Sequence, residues 1–210
     1  MKVRKMTEKT CLFLRCQRDH HPKALAEAPA GLVETRHQWD LDQVDLDRHG
    51  AILVSMLTDQ HSLARHSARL EAFLDRGGIL VFNGHVAHPP IAGLRPFVGV
   101  RGHGVDILTL HRLADHPVFD GVDAHDLTYR RGVAGFYARG HNPPPEGAVA
   151  LNGIGPDKAA ADWIWRRPGG GTVLMHAGLD LWAYVADPTS AARMAPQLLG
   201  WLRSEMRGDN

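Results

Sequence analysis

The sequence predicts an α/β fold: a doubly wound, mostly parallel, flavodoxin-like sheet with helices on both faces and antiparallel hairpins added in the second half. Three observations carry this expectation. Residues 59–82 read as a helix, a Gly77-Gly78 stop and a wholly apolar strand, Ile79-Leu80-Val81-Phe82, and a strand covered on both faces of a parallel sheet has that character. The first half alternates strand-like and helix-like stretches, as right-handed crossovers require. The second half is instead broken by Gly- and Pro-rich turns between short strand-like runs, the pattern of hairpins.

Taken in order, residues 10–16 read as a first strand that ends in the polar turn Gln17-Arg18-Asp19-His20-His21-Pro22. Residues 25–28 suit a short helix, and residues 32–39 alternate like a second strand. Residues 51–57 are apolar enough for a central third strand. Thr58 or Asp59 is placed to cap the next helix, whose Leu63, Leu70, Phe73 and Leu74 recur at helical spacing. Gly77 and Gly78 end that helix with left-handed backbone, and the fourth strand follows. Beyond it, residues 105–110, 132–139, 148–152, 161–166 and 172–176 are further strand candidates. Gly102-His103-Gly104 and Gly169-Gly170-Gly171 match no phosphate-loop pattern and read as turns. Residues 187–206 should form a last helix, kinked or delayed by Pro196.

With 210 residues, 44% of them apolar and 22% charged, the chain has the composition of a globular protein and enough length for one core. One domain over residues 1–210 is expected, with residues 1–9 frayed. A formal net charge of +1 and no basic stripe argue against nucleic acid. No apolar run approaches the ~20 residues of a membrane span, and Leu12-Phe13-Leu14 is too short for a signal-peptide core; a cytoplasmic protein is expected. Cys11 and Cys16 fit neither a redox CxxC pair nor a zinc knuckle and read as reduced thiols. Histidine is abundant, at 14 residues. His85-x-x-His88 lies in a Pro-rich loop without Cys, Asp or Glu at ligand spacing, so neither a metal nor a cofactor is expected.

In open α/β sheets ligands bind beyond the strand carboxyl ends. The corner Asn83-Gly84-His85 after the fourth strand is therefore the expected site. Strand ends add Arg18 and His20, Asp59 and Gln60, and His88. The second half adds Tyr137, His141, Asn142, His176, Asp180, Trp182 and Tyr184. Imidazoles titrate near neutral pH, so His85 and His176 are candidate acid/base groups, with Asp59 or Asp180 as orienters. Trp182 and Tyr184 are candidate ring-stacking walls or hydrophobic plugs.

The order of these pieces resembles the class I glutamine-amidotransferase-like superfamily, and within it the trehalose-utilisation (ThuA-like) group. FLDRGGILVFNGHVAH (residues 73–88) looks like that group's elbow, HPVFDGV (residues 116–122) like its His-Pro-x-x-x-Gly segment, and GGGTVLMHAGLDLWAY (residues 169–184) like its late Gly-x-Gly strand. The resemblance spans about residues 10–201. It implies a nucleophile elbow after the fourth strand, yet that turn carries an amide, a glycine and an imidazole where amidotransferases have cysteine. Glutamine hydrolysis needs a thiolate there, so none is expected. Two readings remain. One is a hydrolase, lyase or isomerase acting on a small polar metabolite such as a carbohydrate derivative. The other is a non-catalytic ligand-binding or oligomeric scaffold. A homodimer is expected from Trp163 and Trp165, which share one face of a late strand and would cover an exposed edge.

Overall fold

The computed structural model describes residues 9–208. The frayed start expected at residues 1–9 lies, apart from Lys9, outside the described residues. The first half contains β1 (Thr10–Arg15), α1 (Lys23–Ala26), β2 (Val33–His37), β3 (His49–Val54), α2 (Gln60–Ala64), α3 (Ser67–Asp75) and β4 (Ile79–Asn83). The second half contains β5 (Val98–Gly99), β6 (Leu110–Arg112), α4 (Ala124–Thr128), β7 (Tyr129–Arg130), β8 (Val133–Ala134), β9 (Gly140–His141), β10 (Val149–Ile154), β11 (Ala159–Arg166), β12 (Thr172–His176) and α5 (Met194–Arg207).

The main sheet has the order β2-β1-β3-β4-β12-β11-β10-β6. Its first five strands are parallel, and β11, β10 and β6 continue it antiparallel. The parallel part therefore runs 2-1-3-4-5, one of the two common doubly wound orders, with its switch point between β1 and β3. Each face is covered. On one side Cys11, Phe13, Leu53, Val81 and Leu174 pack under α1 and α5 through Leu25, Leu198 and Leu202. On the other, Leu12, Ile52, Leu80 and Val173 pack under α2 and α3 through Leu63, Leu70 and Phe73. Alternate residues of one strand thus serve opposite cores, and that is why these strands have no polar face.

Several expectations shift in detail. The single helix expected after residue 59 is two, broken at Arg65-His66, where no glycine or proline marks the break. Half of residues 105–110 form a 3-10 turn, Asp106–Leu108, and only Leu110 onwards pairs. Residues 132–139 hold only a two-residue strand and an isolated bridge at Ala138, because Gly132 and Gly135 take φ of +77° and +88° and bend the chain off the ladder. The last helix is preceded by a 3-10 turn and starts at Met194. Pro196 then falls in its first turn, where a missing N–H leaves no bond unmade. Trp163 and Trp165 do share a face, but β11 lies between β10 and β12 rather than at an edge. Trp163 is fully buried, and its indole N–H donates to the Asn142 carbonyl at 2.7 Å. The edge argument for a homodimer is removed.

Candidate functional site

The corner after β4 turns on Gly84, which takes φ of +101°; a Cβ there would lie 2.8 Å from Met56 Cα. Only glycine meets both demands. Three side-chain amides fix the rest. Asn83 donates to the Val54 carbonyl at 2.9 Å and accepts from Leu181 N at 3.1 Å. Asn142 accepts from Val86 N at 2.9 Å and donates to the Gly84 carbonyl at 2.8 Å. Gln60 accepts from Ala87 N and His88 N and donates to the His85 carbonyl at 2.6 Å. His85 is left on the outside of the turn. Its ring stacks on Phe97, with centroids 3.6 Å apart and planes 16° apart. Burial of that ring, then the electrostatic influence of the neighbouring His176 and Arg139, push its pKa down. The elbow therefore presents a neutral imidazole near neutral pH.

Beside it, β12 ends at His176, directly opposite Asp162 on β11. Asp162 lies opposite Asn152 on β10, and Asn152 opposite Arg112 on β6. The four form one polar row across the sheet. His176 Nδ1 is 2.6 Å from one Asp162 oxygen. The other oxygen accepts from the Tyr137 hydroxyl and from Asn152, each at 2.6 Å. Arg112 donates to the Asn152 carbonyl oxygen and to two backbone carbonyls. A carboxylate only accepts, so His176 carries its proton on Nδ1 and its Nε2 is the free position. That nitrogen is buried and has no hydrogen-bond partner among the described residues. It faces Gly178, whose missing side chain also lets the chain bridge to Ala138. Burial and the neighbouring Asp162 both push the Tyr137 hydroxyl far above its ordinary pKa, so it stays a donor.

A cavity of about 280 Å³ opens at the carboxyl ends of β1, β3 and β12, over the switch point. Its lining includes His20, Met56, Leu57, Leu179, Asp180 and Trp182. Asp180 is 4% exposed. It accepts from Ser55 Oγ and from Met56 N, both at 2.7 Å. Burial pushes its carboxyl pKa up against the opposing pull of these bonds and of His20 and His176. Met56 belongs both to this cavity and to the wall behind Gly84, so cavity and elbow adjoin.

The fold thus gathers His85, Asn83, Gly84, Tyr137 and His176 at the elbow, and His20, Asp180 and Trp182 at the cavity. Other candidates lie apart or are otherwise engaged. Asp59 accepts from Ser62 N as the cap of α2, with no hydrogen bond to His85. Arg18 borders a different hollow with Arg15, His37 and Trp39. His88 packs its ring on His61 at 3.6 Å, whereas His85 stacks on Phe97. His141 is half-buried on β9, beside Asn142, with its pKa lowered by burial. Tyr184 is a core plug: fully buried, bonded to the Phe136 carbonyl and lying under Arg130. Trp182, 2% exposed and edge-on to Phe13, offers no open ring face for stacking. Sequence reasoning missed Asp162, Ser55 and Phe97. A lone aspartate inside the apolar run Ala159–Arg166 was the available signal for the first.

A wider hollow, about 720 Å³, is an open cleft by β6 and α5, lined by Arg112, His116, Phe119 and Gln197 among others. Its guanidinium is already taken up by Asn152, Phe119 and Val122, and it lies at the β6 edge of the sheet, away from the switch point between β1 and β3. The smaller cavity is the better candidate on both counts.

No family model matches the sequence, and no curated protein sequence matches it. Solved structures do. Cytoplasmic Protein STM3548 from Salmonella typhimurium superposes with a TM-score of 0.57 at 12% identity, covering 91% of this chain and 98% of that one. A putative ThuA-like protein from Bacteroides uniformis superposes with a TM-score of 0.50 at 11% identity, covering 96% and 94%. The chain has a ThuA-like fold. At these identities the likeness speaks for the fold alone.

Proposed function

We propose that this chain is a glutamine-amidotransferase-like domain without the elbow cysteine, and that it binds and converts a small polar metabolite at the strand carboxyl ends. The reading rests on one observation: where a thiol nucleophile would stand, the elbow holds out the neutral imidazole of His85, beside the Asp162–His176 pair and next to a cavity over the switch point. His85 is the acid/base group, and Asp180 lies at the cavity wall. His176 is held in one tautomer by Asp162 and supports the site electrostatically. The opposite sealing of His176, which is fully buried, favours a second reading, a ligand-binding domain without turnover.

Two measurements separate these. Incubation with glutamine should release no ammonia, and Cys16→Ser should change nothing; ammonia release lost with Cys16→Ser restores a thiol enzyme. A metabolite panel is then read by thermal shift and by product formation for the native chain and His85→Ala. Turnover abolished by His85→Ala while the shift survives supports catalysis. Ligands that shift melting without turnover support the binding domain. A panel with no hit at all removes both.

A further inference from the structure

Three residues that line the cavity over the switch point carry polar groups whose needs the described residues leave unmet. Trp182 Nε1 and His20 Nδ1 are buried without a hydrogen-bond partner among the described residues. An indole N–H only donates, and buried tryptophans normally find an acceptor for it. Asp180 has two neutral donors, Ser55 Oγ and Met56 N, but no ion pair among the described residues, although it is 96% removed from solvent at 4% exposure. Buried carboxylates are ordinarily paired with a cation. The remaining wall is apolar, with Leu57, Leu179 and Val185, and Lys23 stands at the rim. Pockets of this kind, mostly apolar with few convergent polar groups, take small organic ligands.

Resting on the strand-end reading above, we infer that the ligand is a compact primary ammonium compound with an apolar body and a hydrogen-bond acceptor oxygen. Its ammonium group sits on Asp180. Its acceptor oxygen takes the Trp182 indole N–H, within reach of Lys23 at the mouth. Its hydrocarbon lies along Leu57, Leu179 and Val185. The volume of about 280 Å³ is ample for a branched amine of amino-acid-amide size. The burial that raises the Asp180 pKa is the same desolvation that an ammonium ligand would offset.

The test is calorimetric titration of the full chain with four size-matched probes. Valinamide carries ammonium and carbonyl, isoamylamine the ammonium alone, isovaleramide the carbonyl alone, and isovalerate an anion. Valinamide is expected to bind at least about tenfold tighter than each of the others. Asp180→Asn keeps acceptor and donor capacity for Met56 N and Ser55 and should erase the advantage over isovaleramide. Trp182→Phe should erase the advantage over isoamylamine. Leu57→Trp, at an exposed rim position, should block valinamide by filling the mouth without touching the core. Isovaleramide or isovalerate binding as tightly as valinamide overturns the inference. So does valinamide that fails to bind, or binds equally well to Leu57→Trp. A neutral or anionic ligand from the metabolite panel that Leu57→Trp excludes would keep the strand-end site and sink only the ammonium assignment.

Discussion

Cys11 and Cys16 sit five residues apart on one strand and its end, yet their surroundings differ completely. Cys11 is fully buried, and burial pushes its thiol up to about 12. Cys16 follows the end of β1 and is partly open. Thiolate fraction and access together set alkylation rate. Iodoacetamide under native conditions is expected to label Cys16 alone, read by intact mass and peptide mapping; a doubly labelled folded protein would contradict the buried placement. His116 shows the same control by burial on a base. Its Nδ1 accepts from Val118 N, and burial lowers its pKa from 6.5 to about 4. The unfolded chain therefore takes up the proton first, so stability is full above about pH 6.5 and drains as pH falls toward 4, by about 3 kcal/mol at most. His116→Asn keeps the capping acceptor and should flatten that acid limb in urea unfolding between pH 7 and 4. An unchanged slope would assign the acid loss elsewhere.

At the scale of elements, the β4 elbow was visible in sequence because its signals are local: an apolar run, then Asn83-Gly84. What holds it was less visible. Asn142 lies 58 residues from Gly84, and nothing in HNPPP (residues 141–145) says that its amide closes that turn. The two are brought together by the Gly140–His141 ladder with Val98–Gly99, too short to announce itself by periodicity. Asn142→Ala would leave the Val86 N–H and the Gly84 carbonyl unpaired in a buried place, so it should cost roughly 3 kcal/mol and loosen His85. The check is denaturant unfolding together with amide exchange at Val86. A loss below about 1 kcal/mol would mean that water replaces the amide. The helix before β4 makes the reverse point: its apolar spacing was legible, but its break at Arg65-His66 has no residue-level marker.

Across the whole molecule, the central parallel strands β1, β3, β4 and β12 were readable because they are buried on both faces and show as largely apolar runs, whereas the edge strand β2 is partly exposed and showed only as an alternation. The antiparallel half was readable only in outline, since pairing and register depend on residues far apart in the chain. Its polar row is the consequence of that register: Arg112, Asn152, Asp162 and His176 come from four strands and are bonded only because β6, β10, β11 and β12 align them. The row ties the added strands to the β4–β12 seam where the elbow sits. Asp162 is its hub, accepting from Tyr137 and Asn152 and holding His176, all in a fully buried setting. Removing a shared acceptor leaves several donors unpaired at once, so Asp162→Ala is expected to cost roughly 3–5 kcal/mol. His176→Ala leaves Asp162 with its two other donors and should cost less. Because the two side chains belong to one network, the double variant should be less destabilised than the sum of the singles, with a coupling of about 1–3 kcal/mol. The measurement is a urea double-mutant cycle at pH 7, with Asn152→Ala as a second cycle partner for Asp162. If the Asp162 and His176 losses simply add, the row is four separate contacts that happen to adjoin, and the elbow is held by its amides alone.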